Sequence, residues 1–542
     1  MKTFTSAPSM FVRIITFGLV LGALCLTAEA RQGAGKAVPP KSQAQVQALL
    51  KQGASAYRQG QNKKALTYFQ QALPLAQAVG DKSQQATTLS NIGQVYSDMS
   101  QPQKALDYYQ QALPLLQAVG DKPQQAIILT NIGYIYSHTG QPQKALNYYQ
   151  RALSIDKAVG DKAAEATILT NIGQVYSDTG EPQKALDYFH QAFPLAQAAG
   201  DKSQQAATLT NIGGVYSDTG EPQKALNYYQ RALSIDKAVG DKAAEAPILN
   251  NIGLVYSDTG EPQKALDYYQ QALSIDKAVG DKAAEATTLT NIGGVYSQTG
   301  QPQKALDYYQ QALPIRKAVG DKVGEAATLS DIGVVYSQTG EPQKALAYYQ
   351  QALPIRKAVS DKAGEATTLG NIGSIYLDIG EPQKALDYYQ QALPIRKAVG
   401  DKTAEVDVLI IIGATYSLTG EPQKALAYYQ QALPIEKAVG DKAGEANFLI
   451  AIGGVYSDTG QPQKALNYLQ QALPLAQAAG DKAKEATILN IIGAIYSDTG
   501  QPQKALDYYQ QALPLAQAAG DKAKEATISS HIAAITKAIS KP

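Results

Sequence analysis

The chain has 542 residues, a formal net charge of +1, a single cysteine and no tryptophan. That length exceeds what one globular core supports, and the neutral balance offers no basic surface for nucleic acid or an anionic membrane. Cys25, alone and near the N-terminus, excludes a disulfide framework and a thiol nucleophile from the mature chain.

Residues 1–30 have the pattern of a secretory signal. Lys2 and Arg13 form a basic start, Ile14 to Leu26 an apolar run of 13 residues, and Ala28-Glu29-Ala30 a small-x-small cleavage site. The run is too short to span a bilayer comfortably. The pattern predicts cleavage after Ala30, a mature chain from Arg31, and export to the periplasm or medium of a bacterium without membrane insertion. An uncleaved anchor and a lipoprotein on Cys25 are the competing readings; the second needs a small residue where Leu24 stands. Residues 31–42 (RQGAGKAVPPKS) read as a disordered linker.

From residue 43 to 521 the chain consists of twelve near-copies of one 40-residue unit, represented by Asp281–Gly320. Asp281 caps a helix N-terminus, and Glu285 adds a carboxylate to the first turn, where the helix dipole favours it. Leu289, Ile292, Gly293 and Tyr296 follow at steps of three and four, one face of an α-helix. Gly300 suits a left-handed helix end, Pro302 opens a second helix, and Ala305, Leu306, Tyr309, Ala312 and Leu313 give that helix its apolar face before Gly320 closes it. Pro314 breaks the pattern, because it lacks the N–H owed to the carbonyl of Gln310. Proline fills this position in nine of the twelve copies, with Ser154, Ser234 and Ser274 in the others; either a kink or the end of the helix accounts for it. Pro247, several residues into the first helix of the sixth copy, predicts a kink or a delayed start there. The first copy is degenerate, with Ala56 for the tyrosine and Gln52 at an apolar position. Residues 522–542 form one more helix of the first type and a tail, with Ala533 and Thr536 in place of the glycine and tyrosine. Atypical ends suit a stack whose terminal faces meet water.

A helix pair with one apolar stripe cannot bury it alone, whereas stacked pairs bury it continuously. The predicted fold class is therefore all-α, an α-solenoid of stacked antiparallel helix pairs. Leu289, Ile292, Gly293, Tyr296, Ala305, Tyr309 and Ala312 resemble the tetratricopeptide repeat (TPR), and the match recurs twelve times over about nine-tenths of the chain. Leucine stands for the family's tryptophan, the family's late proline is missing, and the unit runs 40 residues instead of about 34. Repeats of this longer kind, with Asn291 ahead of the Ile-Gly pair, are similar to those of kinesin light chains. The resemblance implies a right-handed TPR superhelix whose first helices line a concave groove for protein or peptide partners.

In that arrangement Thr287, Asn291, Gly294 and Gln298 border the groove. The asparagine row runs Asn91, Asn131, Asn171, Asn211, Asn251, Asn291 and Asn371, with Asp331 as a variant. An amide with two donors and an acceptor can bond the backbone of an extended peptide or tie neighbouring helices together; both readings stand. Asp98, Asp178, Asp218, Asp258, Asp378, Asp458 and Asp498 make one edge of the groove acidic or are solvated turn residues. Departures from the unit concentrate in copies ten to twelve: Ile410, Ile411 and Leu418, then Phe448, Ile450 and Ala451, then Ile491. They predict an apolar anchor pocket for a partner, with denser packing between first helices as the alternative. Tyrosine pairs such as Tyr308-Tyr309 read as packing residues with one ring toward the next repeat. Arg316-Lys317, Arg356-Lys357 and Arg396-Lys397 read as solvated charges.

No GxxxxGK loop or GxGxxG turn occurs, and His138, His190 and His531 lie too far apart for metal spacing. Neither catalytic residues nor a metal or cofactor is expected. The sequence favours a non-catalytic, exported scaffold for protein or peptide partners. A structural or self-associating spacer of the cell envelope is the second reading.

Overall fold

The computed structural model describes residues 40–540; the expected signal segment 1–30 lies outside them, as does most of the expected linker. The described chain forms 25 α-helices of 17–19 residues, packed as consecutive antiparallel pairs. The pairs run from Pro40–Arg58 with Asn62–Val79 to Lys482–Asp498 with Pro502–Ala518, and a last helix of the first type, Lys522–Ile539, follows. Residues 40–42, expected in the linker, belong to the first helix. Proline at a first helical position gives up an N–H that has no helical partner anyway. Two compact units, residues 40–295 and residues 296–540, divide the described chain, and each is built of stacked pairs.

The two helix types start by different means. From the second repeat on, first helices start on an aspartate: Asp201 accepts from the Gln204 N–H at 2.9 Å, and Asp321 from the Gly324 N–H at 2.9 Å. Caps of this kind contribute about 1 kcal/mol each. Second helices such as Pro222–Val239 have no side-chain cap and begin on proline, whose fixed φ suits the first turn. Gly320 ends a second helix at φ 74°. Ser360 makes the same left-handed turn at φ 57°, a conformation that costs a residue with a Cβ about 1–2 kcal/mol.

The interior prolines do not end the second helices. Pro302–Val319 runs unbroken through Pro314, and the other eight prolines at this position also lie inside their helices. In two serine copies, where the backbone N–H is kept, the hydroxyl also donates to the same carbonyl: Ser154 Oγ to Gln150 at 2.9 Å and Ser234 Oγ to Gln230 at 2.8 Å. Pro247 likewise lies inside Lys242–Asp258, so it does not delay that helix's start.

Each repeat buries its stripe by a close helix approach. In the fifth repeat Ile212 and Val215 are buried beside Gly213, and burying one such aliphatic side chain stabilises by about 1.5–3 kcal/mol. A Cβ on Gly213 would stand 2.8 Å from Cδ1 of Tyr229, so the paired glycine is what lets the second-helix ring lie flat on the first helix. The other ring of the pair, Tyr228, stacks on Tyr216 at 5.5 Å, with the Lys224 ammonium 4.9 Å from the Tyr216 ring centre. Both rings therefore engage the first helix of their own repeat, and the second ring of a pair can also meet the next repeat, as the Tyr109 hydroxyl does at Asn131 and the Tyr429 ring does at Phe448. No described helix is long and apolar enough to cross a membrane.

Candidate binding groove

One face of each first helix is left half-buried after the stripe is packed, and it carries the sequence-predicted asparagines. Asn91, Asn131, Asn171, Asn211, Asn291 and Asn371 are half-buried, whereas Asn251 is only 6% exposed. Asn251 is thus a covered residue and no part of an open row. Two of the row tie repeats together. Asn131 Nδ2 donates to Gln94 Oε1 and to the Tyr109 hydroxyl of the preceding repeat, both at 3.4 Å. Asn291 Nδ2 donates to Asn250 Oδ1 at 3.3 Å, and Asn250 Nδ2 donates to Thr288 Oγ1 at 2.8 Å. Among the described residues, Asn91, Asn171, Asn211 and Asn371 have no such partner, which leaves their amides for another acceptor or donor.

The apolar departures separate in the same way. Leu418 is 77% exposed. Ile410, Ile411, Ile450 and Ile491 are half-buried and pack against the core of their own region. Phe448 is buried, edge-on to Tyr429 with ring centres 6.3 Å apart. It is a core residue and cannot meet a partner, because the space beneath this first helix is already filled by its ring. The acidic edge also differs from a row of solvated turns. Asp98 accepts from the Tyr57 hydroxyl of the preceding repeat and from Gln94 Nε2 at 2.9 Å. Burial and the neighbouring Asp98 push the Tyr57 hydroxyl well above its ordinary range.

Sequence reading missed a second set of polar groups, at the last turn of the second helices. Arg316 and Arg396 are buried and Arg356 is nearly so, contrary to their reading as solvated charges. Arg316 Nη1 pairs with Asp321 at 2.5 Å, Arg356 Nη1 with Asp361 at 2.5 Å and Arg396 Nη1 with Asp401 at 3.4 Å. Each of these aspartates caps the next first helix. The guanidinium also reaches back to the first helix of its own repeat, where Arg356 Nη2 donates to Ser330 Oγ at 3.3 Å and Arg396 Nη2 to Thr367 Oγ1 at 2.6 Å. The signal was present in the spacing: Ala305, Tyr309 and Ala312, continued by four residues, puts Arg316 on the buried side.

In repeats three, five and six the same position holds Asp156, Asp236 and Asp276, all buried. Burial, and then Asp161 with Glu165, push Asp156 up to about 7. Burial, and then Asp241 with Glu245, do the same to Asp236. Asp276 is pushed up to about 6 by burial, against the hydrogen bond it accepts from Thr288 Oγ1 at 2.8 Å. Asp331, the acid in the asparagine row, is pushed up to about 6 by burial, with Arg356 and Arg316 acting in the opposite sense. Among the described residues no group of three His, Cys, Asp or Glu side chains could hold a metal ion.

The tetratricopeptide repeat family model matches eleven overlapping segments, from 45–118 to 444–518. No curated protein matches the chain. Solved structures are similar in fold at low identity. A signal transduction ATPase with numerous domains and a tetratricopeptide repeat sensor, from Pyrococcus horikoshii, is 17% identical with a TM-score of 0.49, over 67% of this chain and 55% of that one. The chain thus spans little more than half the length of that protein. The quorum sensor NprR of B. thuringiensis is 16% identical with a TM-score of 0.45, over 67% and 99%. BtubC (BKLC) of P. vanneervenii is 21% identical with a TM-score of 0.37, over 41% and 92%. With the family model matched from residue 45 to 518 and helix pairs recurring along the same stretch, the chain belongs to the tetratricopeptide repeat family.

Proposed function

We propose that this chain is a non-catalytic scaffold that holds a protein or peptide partner along the half-buried face of its first helices. We further propose that it works outside the cytoplasm, after cleavage behind Ala30. Tetratricopeptide repeat domains generally bind proteins and peptides. The observation that carries the reading is the set of unpartnered, half-buried amides at Asn91, Asn171, Asn211 and Asn371, which recur at multiples of the 40-residue repeat. Amides held on rigid helices bind an extended backbone without first paying the entropy of ordering themselves. Exposed Leu418, with half-buried Ile411 beside the same face, adds an apolar contact point for a partner's side chain.

The test compares capture of periplasmic or medium proteins by the intact chain and by the Ile411→Asn, Leu418→Asp variant, with helicity checked by circular dichroism. Loss of a specific captured protein with helicity unchanged supports the reading. Equal capture by both proteins contradicts the apolar contact, and a concentration-dependent rise in light scattering without any partner supports a self-associating spacer instead. N-terminal sequencing of the exported protein should begin at Arg31, and an intact Met1 contradicts the export reading.

A further inference from the structure

The repeats differ in a paired way at one place, the junction between the last turn of a second helix and the first turn of the next first helix. The residue at Arg356 and its equivalents, and the residue eight further on, vary together. Where the first is Arg316 or Arg356, the second is Gly324 or Gly364; where it is Glu436, the second is Gly444. Where it is Asp156, Asp236 or Asp276, the second is Ala164, Ala244 or Ala284. Where it is Ala76, Leu116 or Ala196, the second is Gln84, Gln124 or Gln204. Where it is Ala476 or Ala516, the second is Lys484 or Lys524.

The geometry explains the pattern. A Cβ on Gly324 would stand 1.8 Å from Arg316 Nη1, one on Gly364 would stand 1.9 Å from Arg356 Nη1, and one on Gly444 would stand 2.5 Å from Glu436 Oε1. The two positions therefore share one niche, which holds at most one long polar side chain; the aspartate–alanine junctions hold none. Either helix can supply it, and its head arrives at the same targets. Arg356 comes from the second helix to the cap Asp361 and to Ser330 of the preceding first helix. Gln204 comes from the other side, and its Nε2 donates at 2.8 Å to Thr170, the residue corresponding to Ser330. Lys484 and Lys524 reach their cap aspartates Asp481 and Asp521 at 3.1 Å, as the arginines reach theirs.

Repeat nine supplies a natural variant. Its arginine, Arg396, is followed by Ala404 instead of glycine. The added Cβ goes with a displaced guanidinium: the contact with Asp401 lengthens to 3.4 Å, and Nη2 takes Thr367 at 2.6 Å.

We propose that this residue pair is the specificity determinant of repeat stacking: each junction accepts at most one long polar side chain, and the pair decides which second helix can dock on which first helix. Neighbours exchanged between the arginine class and the glutamine class bring two long side chains into one niche or leave it empty. The shared apolar stripe cannot make that distinction, because it is the same in nearly every repeat. The pair thus holds a run of near-copies in order, where slipped or swapped docking is the expected failure.

The test is a double-mutant cycle in the full chain with Gly364→Gln, Arg356→Ala and the two together. The double variant rebuilds the natural Ala196 and Gln204 pair. Hydrogen exchange is followed in the last turn of Pro342–Ala358 and the first turn of Lys362–Asp378. Each single change should speed exchange there about tenfold, and the double should return to within about threefold of the parent. If a single variant does not fold, a folded double variant carries the same conclusion. A double variant that exchanges as fast as the two singles combined, or that fails to fold, overturns the proposal. As a second measurement, Ala404→Gly should bring Arg396 back onto Asp401 in a crystal structure; a guanidinium that stays on Thr367 overturns it as well.

Discussion

The unit of residues 40–295 and the unit of residues 296–540 are built from the same helix pair, yet three repeats of each place opposite charges at the same position. In the first unit Asp156, Asp236 and Asp276 lie beside Asp161, Asp241 and Asp281, the caps of the following helices. In the second unit Arg316, Arg356 and Arg396 meet the caps Asp321, Asp361 and Asp401 as ion pairs. The apolar stripe and the Gly–Tyr contact are shared, so the difference is electrostatic. A solenoid's stability is a sum of repeat and neighbour terms, so one scaffold can carry junctions that hold at any ordinary pH and junctions that hold best when a proton is bound.

The largest effect is expected where the comparison does not apply, in the shared core. Gly213→Leu puts a branched side chain where even a Cβ meets the Tyr229 ring at 2.8 Å, and should destabilise by about 3 kcal/mol through forced overpacking. The urea midpoint of the variant measures it, and an unchanged midpoint contradicts the close approach. Next is Arg356→Met, which strips the cation from Asp361 and Ser330. A buried pair broken on one side costs 3–5 kcal/mol, so about 2 kcal/mol is expected with Asp361 partly in water. Thermal unfolding at neutral pH checks it.

Asp236→Asn sharpens the comparison from the other side. The carboxyl is pushed up to about 7 in the folded chain, against about 3.9 when unfolded. The folded state therefore holds a proton that the unfolded chain releases, and stability falls as pH rises from about 4 through about 7. Neutralising the group should stabilise the chain by about 2 kcal/mol at pH 8 and by nothing measurable at pH 4. Equal effects at both pH values contradict the buried, cation-free setting. The charged groups near it, Asp241 and Glu245, are on the following helix, and Glu245 is itself paired with Lys242 at 2.6 Å. The smallest effect is on stability at Leu418→Asp: at 77% exposure the change should stay within about 0.5 kcal/mol, so any loss of partner binding is not a loss of fold.

The helix pairs were legible because caps, breakers and the three-four spacing agree in every copy. Asp281, Pro302 and Gly320 mark the boundaries, and the paired glycine anticipates the ring of the second tyrosine. The buried charges were harder to see. Arg316 follows the buried spacing, but its type argues for solvent, and only the aspartate five residues on, Asp321, reveals the partner that lets it stay inside. The asparagine row was open to two readings, and the structure divides it by residue: Asn131 and Asn291 bond the preceding repeat, while Asn91, Asn171, Asn211 and Asn371 do not. Phe448 was misread because an aromatic beside Ile450 looks like added surface. The side of the helix it faces depends on Tyr429, which lies on another helix.

Hydrogen exchange along the full chain at pH 5 and pH 8, corrected for intrinsic rates, compares the two kinds of junction in one molecule. Amides in the first turns after Asp161, Asp241 and Asp281 should lose about tenfold or more in protection at pH 8 relative to pH 5, while those after Asp321 and Asp361 keep theirs. Equal pH response in both sets contradicts the claim that the two units differ at their junctions by buried charge.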